Sequence, residues 1–128
     1  MVSPYRRVAK AIDEGVKNPP DKAIELVRLR RIIKLISESG KIIYIALGTT
    51  GDYLLIPKLF CTCKDFELNV VIRRTKGTCY HLIALELALK SNNFRELRVS
   101  DDVLNDIMYE ILFSGRSVTL RKKLLGIT

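Results

Sequence analysis

All three cysteines and the only histidine of this 128-residue chain lie within 21 positions: Cys61-Thr62-Cys63, fifteen intervening residues, then Cys79-Tyr80-His81. Two ligands one residue apart can face one metal ion where a strand ends and the chain turns. A second such pair at the start of a helix supplies two more. Zinc takes four nitrogen or sulfur ligands at tetrahedral corners about 2.0–2.3 Å away. Cys61, Cys63, Cys79 and His81 therefore make a complete Cys3His set with no position left for water, which favours one structural zinc ion over a catalytic one. The ligands alone also accommodate iron, although an Fe–S cluster is less natural with a histidine among its four ligands. Free cysteines are also ordinary core residues, but the two pairs here use every Cys and His in the chain. An odd number of cysteines argues against a secreted disulfide scaffold and for the cell interior.

A chain of this length is expected to form a single domain over residues 1–128, burying roughly two-thirds of its unfolded surface. Its 48% hydrophobic and 28% charged residues exclude wholesale disorder. The longest apolar run, Ile42 to Leu47, falls far short of the ~18 residues of a membrane span. Met1 to Arg7 has no apolar stretch behind its charges, so no signal peptide is expected. These readings predict a cytoplasmic protein with no membrane partner. The net charge is +8, concentrated in residues 1–41, in residues 58–90 and in an acid-free tail from Ser114 to Thr128. Separated basic segments suit a polyanion partner, and they equally suit solubilised helix faces.

Ser3-Pro4 reads as a helix start, with Tyr5, Val8, Ile12 and Val16 on one face and Asn18-Pro19-Pro20 as its end. Asp21 caps a second helix, expected to run through Ile24, Val27, Ile32, Ile33 and Ile36 to a terminal Gly40. Residues 1–40 are thus expected to be two N-terminal helices. Lys41 to Leu47 and Tyr53 to Ile56 read as strands about a Gly48–Asp52 turn, Pro57 marking an edge or bend. Glu67 to Arg73 reads as a third strand. An Ala- and Leu-rich helix follows from Cys79 to Ser91. A last helix starts at Ser100-Asp101-Asp102 and ends at Ser114-Gly115, so residues 100–128 are expected to be a C-terminal helix and a basic tail. The fold class expected is α+β, with a small antiparallel sheet flanked by N-terminal and C-terminal helices.

Cys-x-Cys, a spacer of fifteen and Cys-x-His, preceded by the apolar strand Tyr53–Phe60 and followed by the Ala/Leu-rich helix, resembles the SWIM zinc finger. Ala84 stands three residues after His81, where the recombination-associated branch of that family carries an alanine. The resemblance covers residues 53–90 and implies a zinc-stabilised ββα finger. SWIM modules also occur in helicases, transposases and ubiquitin ligases, but there is no Gly-x-x-x-x-Gly-Lys-Ser/Thr here and 128 residues leave little room for such catalytic domains. What the chain then resembles is the stand-alone SWIM subunit of Shu-type recombination complexes. That resemblance implies pairing with a RecA/RadA-type recombinase paralogue and a role in homologous recombination and DNA repair on single-stranded DNA.

An enzyme is not expected. With His81 committed as a ligand no histidine remains for acid–base work, and the His-x-Glu and Pro-Cys-x-x-Cys pattern of zinc deaminases is absent. No small-molecule substrate is expected either. Candidate nucleic-acid contacts are Lys58, Lys64, Arg73, Arg74 and Lys76 around the finger and Arg116, Arg121, Lys122 and Lys123 in the tail. Tyr53, Phe60, Phe66 and Tyr80 could stack bases, although Phe60 and Phe66 are better placed as core around the metal. A DNA-binding transcription regulator or a general protein-interaction adaptor is the alternative reading. The absence of Gln and the many Ile, Lys and Arg residues fit a thermophilic or archaeal source.

Overall fold

The computed structural model describes residues 4–126, so the expected Ser3 cap lies outside the described residues. The order is α1 (Pro4–Lys17), α2 (Asp21–Arg28), β1 (Ile32–Ser37), β2 (Ile42–Leu47), β3 (Asp52–Ile56) and β4 (Phe60–Cys61). A π-helical segment (Phe66–Ile72) then leads to α3 (Tyr80–Ser91), β5 (Arg95–Val99), α4 (Asp101–Ser114) and α5 (Val118–Leu124). The five strands form one sheet ordered β4-β3-β2-β1-β5. Strands β1 to β4 are antiparallel neighbours, whereas β5 lies parallel to β1, pairing Leu35 with Leu97. The sheet is therefore mixed, not antiparallel throughout, because α3 returns the chain across one face before β5 enters. Among the described residues no helix is long and apolar enough to cross a membrane.

Side chains alternate across the sheet and feed two cores. Ile32, Ala46 and Leu55 pack under α1, α2 and α3, with Val8, Ile12, Leu26, Leu82 and Leu85. Ile33, Leu35, Ile45 and Leu47 face the opposite way, against Leu104, Ile107 and Ile111 of α4 and Leu120 of α5. A strand covered on both faces has no polar side, so it reads as a continuous apolar run.

That property explains a correction within residues 1–40. The second helix ends at Arg28 rather than Gly40, and Ile32 to Ser37 is β1. Ile32, Ile33 and Ile36 match a helical spacing, but their β-branched side chains settle in a doubly covered strand. Gly40, at φ +89°, turns the β1–β2 hairpin instead of closing a helix. The strand expected over Glu67–Arg73 is likewise the π-helical segment, where Val70 is buried while Val71 and Ile72 are 51% and 64% exposed. Its five-residue repeat is visible in Arg73 N–H donating to the Leu68 carbonyl at 2.8 Å.

The tail is not a free basic extension. Ser117 caps α5 by accepting from Leu120 N–H at 3.0 Å, and its hydroxyl donates to Glu110 at 2.9 Å. The Asp52 side chain, fully buried at the start of β3, accepts from Ser117 N–H at 2.9 Å and from Arg121 Nε at 3.2 Å. Arg121 also donates to the Gly48 carbonyl at 3.0 Å. A buried carboxylate stripped of its cation is strongly unfavourable. Arg121→Ala should cost about 3 kcal/mol in urea denaturation. Adding Asp52→Ala should cost less than the sum of the two single changes, since the pair acts as a unit.

Candidate metal centre

The β3–β4 hairpin sets the first two ligands. Cys61 pairs with Leu55 at the end of β4, and the chain then turns through Thr62 to Cys63. Thr62 points away from the two sulfurs, where its hydroxyl accepts from Leu54 N–H at 3.0 Å and its own N–H donates to the Leu54 carbonyl at 3.1 Å. This clamp is why two cysteines one residue apart turn to the same side. Cys79 stands at the N-cap of α3 in an extended conformation, and His81 lies in the first turn. The approach to Cys79 is tight: a Cβ on Gly77 would meet Ala11 Cβ of α1 at 2.4 Å, so only glycine lets the chain pass there.

The four ligand atoms all lie within 4.8 Å of one another, and all four residues are buried. Cys61 Sγ and His81 Nδ1 are 3.9 Å apart, against roughly 3.5–3.8 Å between ligand atoms of a tetrahedral zinc site. Cys63 N–H reaches Cys61 Sγ at 3.4 Å and Phe66 N–H reaches Cys63 Sγ at 3.3 Å, donors that favour thiolate. The rings of Tyr53 and Tyr80 lie 4.6 and 4.2 Å from His81 and hold the imidazole in place.

Hydrogen bonding with Cys61 lowers the Cys63 thiol, and the reciprocal bond raises Cys61. The Cys79 thiol is pushed up to about 12, a hydrogen bond with Cys61 that lowers it being outweighed by Cys63 and by burial. Burial thus works against ionising all three thiols together. Three buried thiolates side by side need a compensating dication, and the donor set is the one zinc prefers. Cys61, Cys63, Cys79 and His81 are positioned to bind a single zinc ion. With all four corners taken by protein, that ion supplies cohesion and has no corner for a substrate.

The remaining site residues separate by environment. Ala84 is fully buried on α3, where its small side chain joins the core. Phe66 is core, as expected, but Phe60, which packs edge-on against it with ring centroids 5.4 Å apart, is 41% exposed rather than core, because it sits on the two-residue edge strand β4. Tyr53 and Tyr80 are half-buried, each with its ring against His81. Of the basic candidates, Arg121 is withdrawn into the Asp52 ion pair. Lys58 bridges Asp13 and Glu86, both at 3.7 Å, and Lys76 pairs with Asp65 at 3.0 Å. The Lys58–Asp13 and Lys76–Asp65 pairs lie at the surface and are of small worth, whereas Glu86 is buried and Lys58 is its cation. Arg73 touches Asn69 at 3.5 Å, while Lys64, Arg74, Arg116, Lys122 and Lys123 stand exposed. Sequence reasoning missed Arg7, which donates to the Val70 and Lys76 carbonyls at 2.6 and 2.9 Å and ties α1 to the loop between the ligand pairs. Nothing in its helical spacing marks that role.

Residues 46–90 match the family model of the SWIM zinc finger, a match that begins in β2, ahead of the expected Tyr53. Zinc finger SWIM domain-containing protein 7 of Mus musculus is 31% identical over 91 residues, covering 70% of this chain and 60% of that protein. Its Homo sapiens counterpart is 30% identical over 89 residues, covering 68% and 64%. The match thus spans less than two-thirds of either relative. No solved structure gives a significant match.

Purified protein should carry one zinc ion per chain by atomic emission. Structural zinc contributes about 10 kcal/mol or more to folding, comparable with the whole stability of a small domain. Cys61→Ser, His81→Ala or a strong chelator should therefore melt the β3–β4–α3 unit, read as lost far-UV ellipticity. A metal-free protein with that ellipticity intact would overturn the structural role.

Proposed function

Taking as premise that this chain carries a SWIM zinc finger and is homologous to SWIM domain-containing protein 7, we propose that it is a non-enzymatic accessory of homologous recombination and DNA repair. In this reading it pairs with a RecA/RadA-type recombinase paralogue and contacts single-stranded DNA from the cell interior. The observation that carries it is the conjunction of that homology with a metal centre closed by four protein ligands. The centre offers no open coordination position, and the single histidine is one of its ligands. A domain so arranged acts by holding surfaces in place, and those surfaces are basic.

Lys64 and Arg73 near the finger, with Lys122 and Lys123 on α5, are the exposed cations best suited to phosphates. Lys76 can join them at the small cost of its ion pair with Asp65, whereas Lys58 is held by the buried Glu86. Each phosphate neutralised releases counterions, so affinity should fall linearly with log salt.

Two measurements test this. Co-expression with the RecA/RadA-type paralogue of the same organism should give a stable, stoichiometric complex on size exclusion. Fluorescence anisotropy with a labelled oligo(dT) should show binding that weakens steeply with salt, and Lys64→Ala/Arg73→Ala should lower the salt slope by about 1 to 2. A protein that purifies alone and prefers a particular duplex sequence would replace this reading with that of a transcription regulator.

A further inference from the structure

The start of α1, the β3–β4 hairpin and the π-helical segment enclose an open groove of about 390 Å³. Tyr5, Val8, Ile56, Phe60 and Val71 are among its apolar walls, and its only charged lining residues are Arg7 and Arg74. Most of this apolar surface is exposed, Tyr5, Ile56, Phe60 and Val71 being more than two-fifths accessible. A contiguous apolar patch with a polar rim marks an interaction site on a folded protein. The backbone here is specialised too. The π-helical turn leaves Val71 open, and Arg74 closes that turn at φ +56°, a conformation that L residues seldom adopt. π-helical turns and such backbone outliers both concentrate at functional sites.

The two arginines differ. Arg7 spends its guanidinium on the Val70 and Lys76 carbonyls and so shapes the wall. Arg74 makes no ion pair among the described residues and no carboxylate lines the groove. A nucleic-acid strand would need a row of free cations and would leave the aliphatic walls uncovered. A peptide segment with bulky apolar side chains beside a carboxylate satisfies both features.

We infer that this groove is the seat of the protein partner, taking an apolar segment flanked by Asp or Glu that extends from the RecA/RadA-type paralogue. The inference rests on the pairing proposed above. Apolar side chains of the segment cover Val71, Ile56 and Phe60, while its carboxylate meets Arg74. The exposed ridge of α4, where Tyr109 and Phe113 stack at 5.5 Å, lies on the helix that covers the opposite sheet face and serves as a control surface.

The test is co-purification of the full chain with that paralogue, using Val71→Asp, Arg74→Glu and Phe113→Asp, each checked for one zinc per chain. Val71→Asp and Arg74→Glu should each weaken the complex at least tenfold, with Phe113→Asp unchanged. If Val71→Asp loses its zinc, Arg74→Glu alone decides. Undiminished pairing by the folded groove variants overturns the inference while the proposed function stands. A wild-type chain that fails to pair removes that reading and the occupant of the groove together. Variants that keep the paralogue but lose oligo(dT) binding would assign the groove to nucleic acid. A wild-type chain that sediments as a dimer broken by Val71→Asp would assign it to a second copy. Either result overturns the inference.

Discussion

Three buried sulfurs and one imidazole, brought within 4.8 Å across a spacer of fifteen residues, are the contact on which the rest of this structure depends. Burial and mutual hydrogen bonding raise the Cys61 and Cys79 thiols, so ionising all three together is unfavourable without a cation. A dication reverses that balance, and its binding energy becomes folding energy. This accounts for elements too small to stand by themselves. Strand β4 has two residues, and the π-helical segment exposes three of its large aliphatics, Leu68, Val71 and Ile72. Both lie between the ligand pairs or at their edge, where metal cohesion substitutes for apolar burial.

A second tie secures the far end of the sheet. Asp52 opens the strand that leads to the first ligand pair, and Arg121 of α5 closes over it. The C-terminal helix is thereby joined to the hairpin that carries Cys61. Between these ties, α3 carries Cys79 at its N-cap and His81 in its first turn, and its remaining length packs Leu82, Leu85 and Ala88 against the sheet. Metal, sheet and C-terminal helix are therefore joined through direct contacts.

Those surfaces divide the net charge of +8 into ground of different kinds. Some cations are internal ties, as Arg7 and Arg121 are. Lys76 holds a surface pair, while Lys58 faces the buried Glu86. Lys64, Arg74, Arg116, Lys122 and Lys123 remain open to solvent. Counting charges along the chain treats all of these alike, and only the fold separates them.

Much of the site was legible beforehand, because ligand chemistry is local: the spacing of Cys61, Cys63, Cys79 and His81 specifies a closed metal set whatever surrounds it. The helices over Pro4–Lys17, Tyr80–Ser91 and Asp101–Ser114 were legible too, since each has one buried stripe or a clear cap. What sequence periodicity could not decide was the state of Ile32–Ser37 and Phe66–Ile72, both short apolar runs compatible with more than one backbone. The first became a strand because helices cover it on both faces. The second became a π-helical turn because Phe66 and Val70 had to point inward beside the ligands. The sequence by itself marked Cys61, Cys63, Cys79 and His81 as a closed four-ligand metal set of the kind zinc prefers. Tertiary structure decided the mixed sheet, the burial of Arg121 and the groove beside Arg74, because each depends on which distant residue supplies a missing partner.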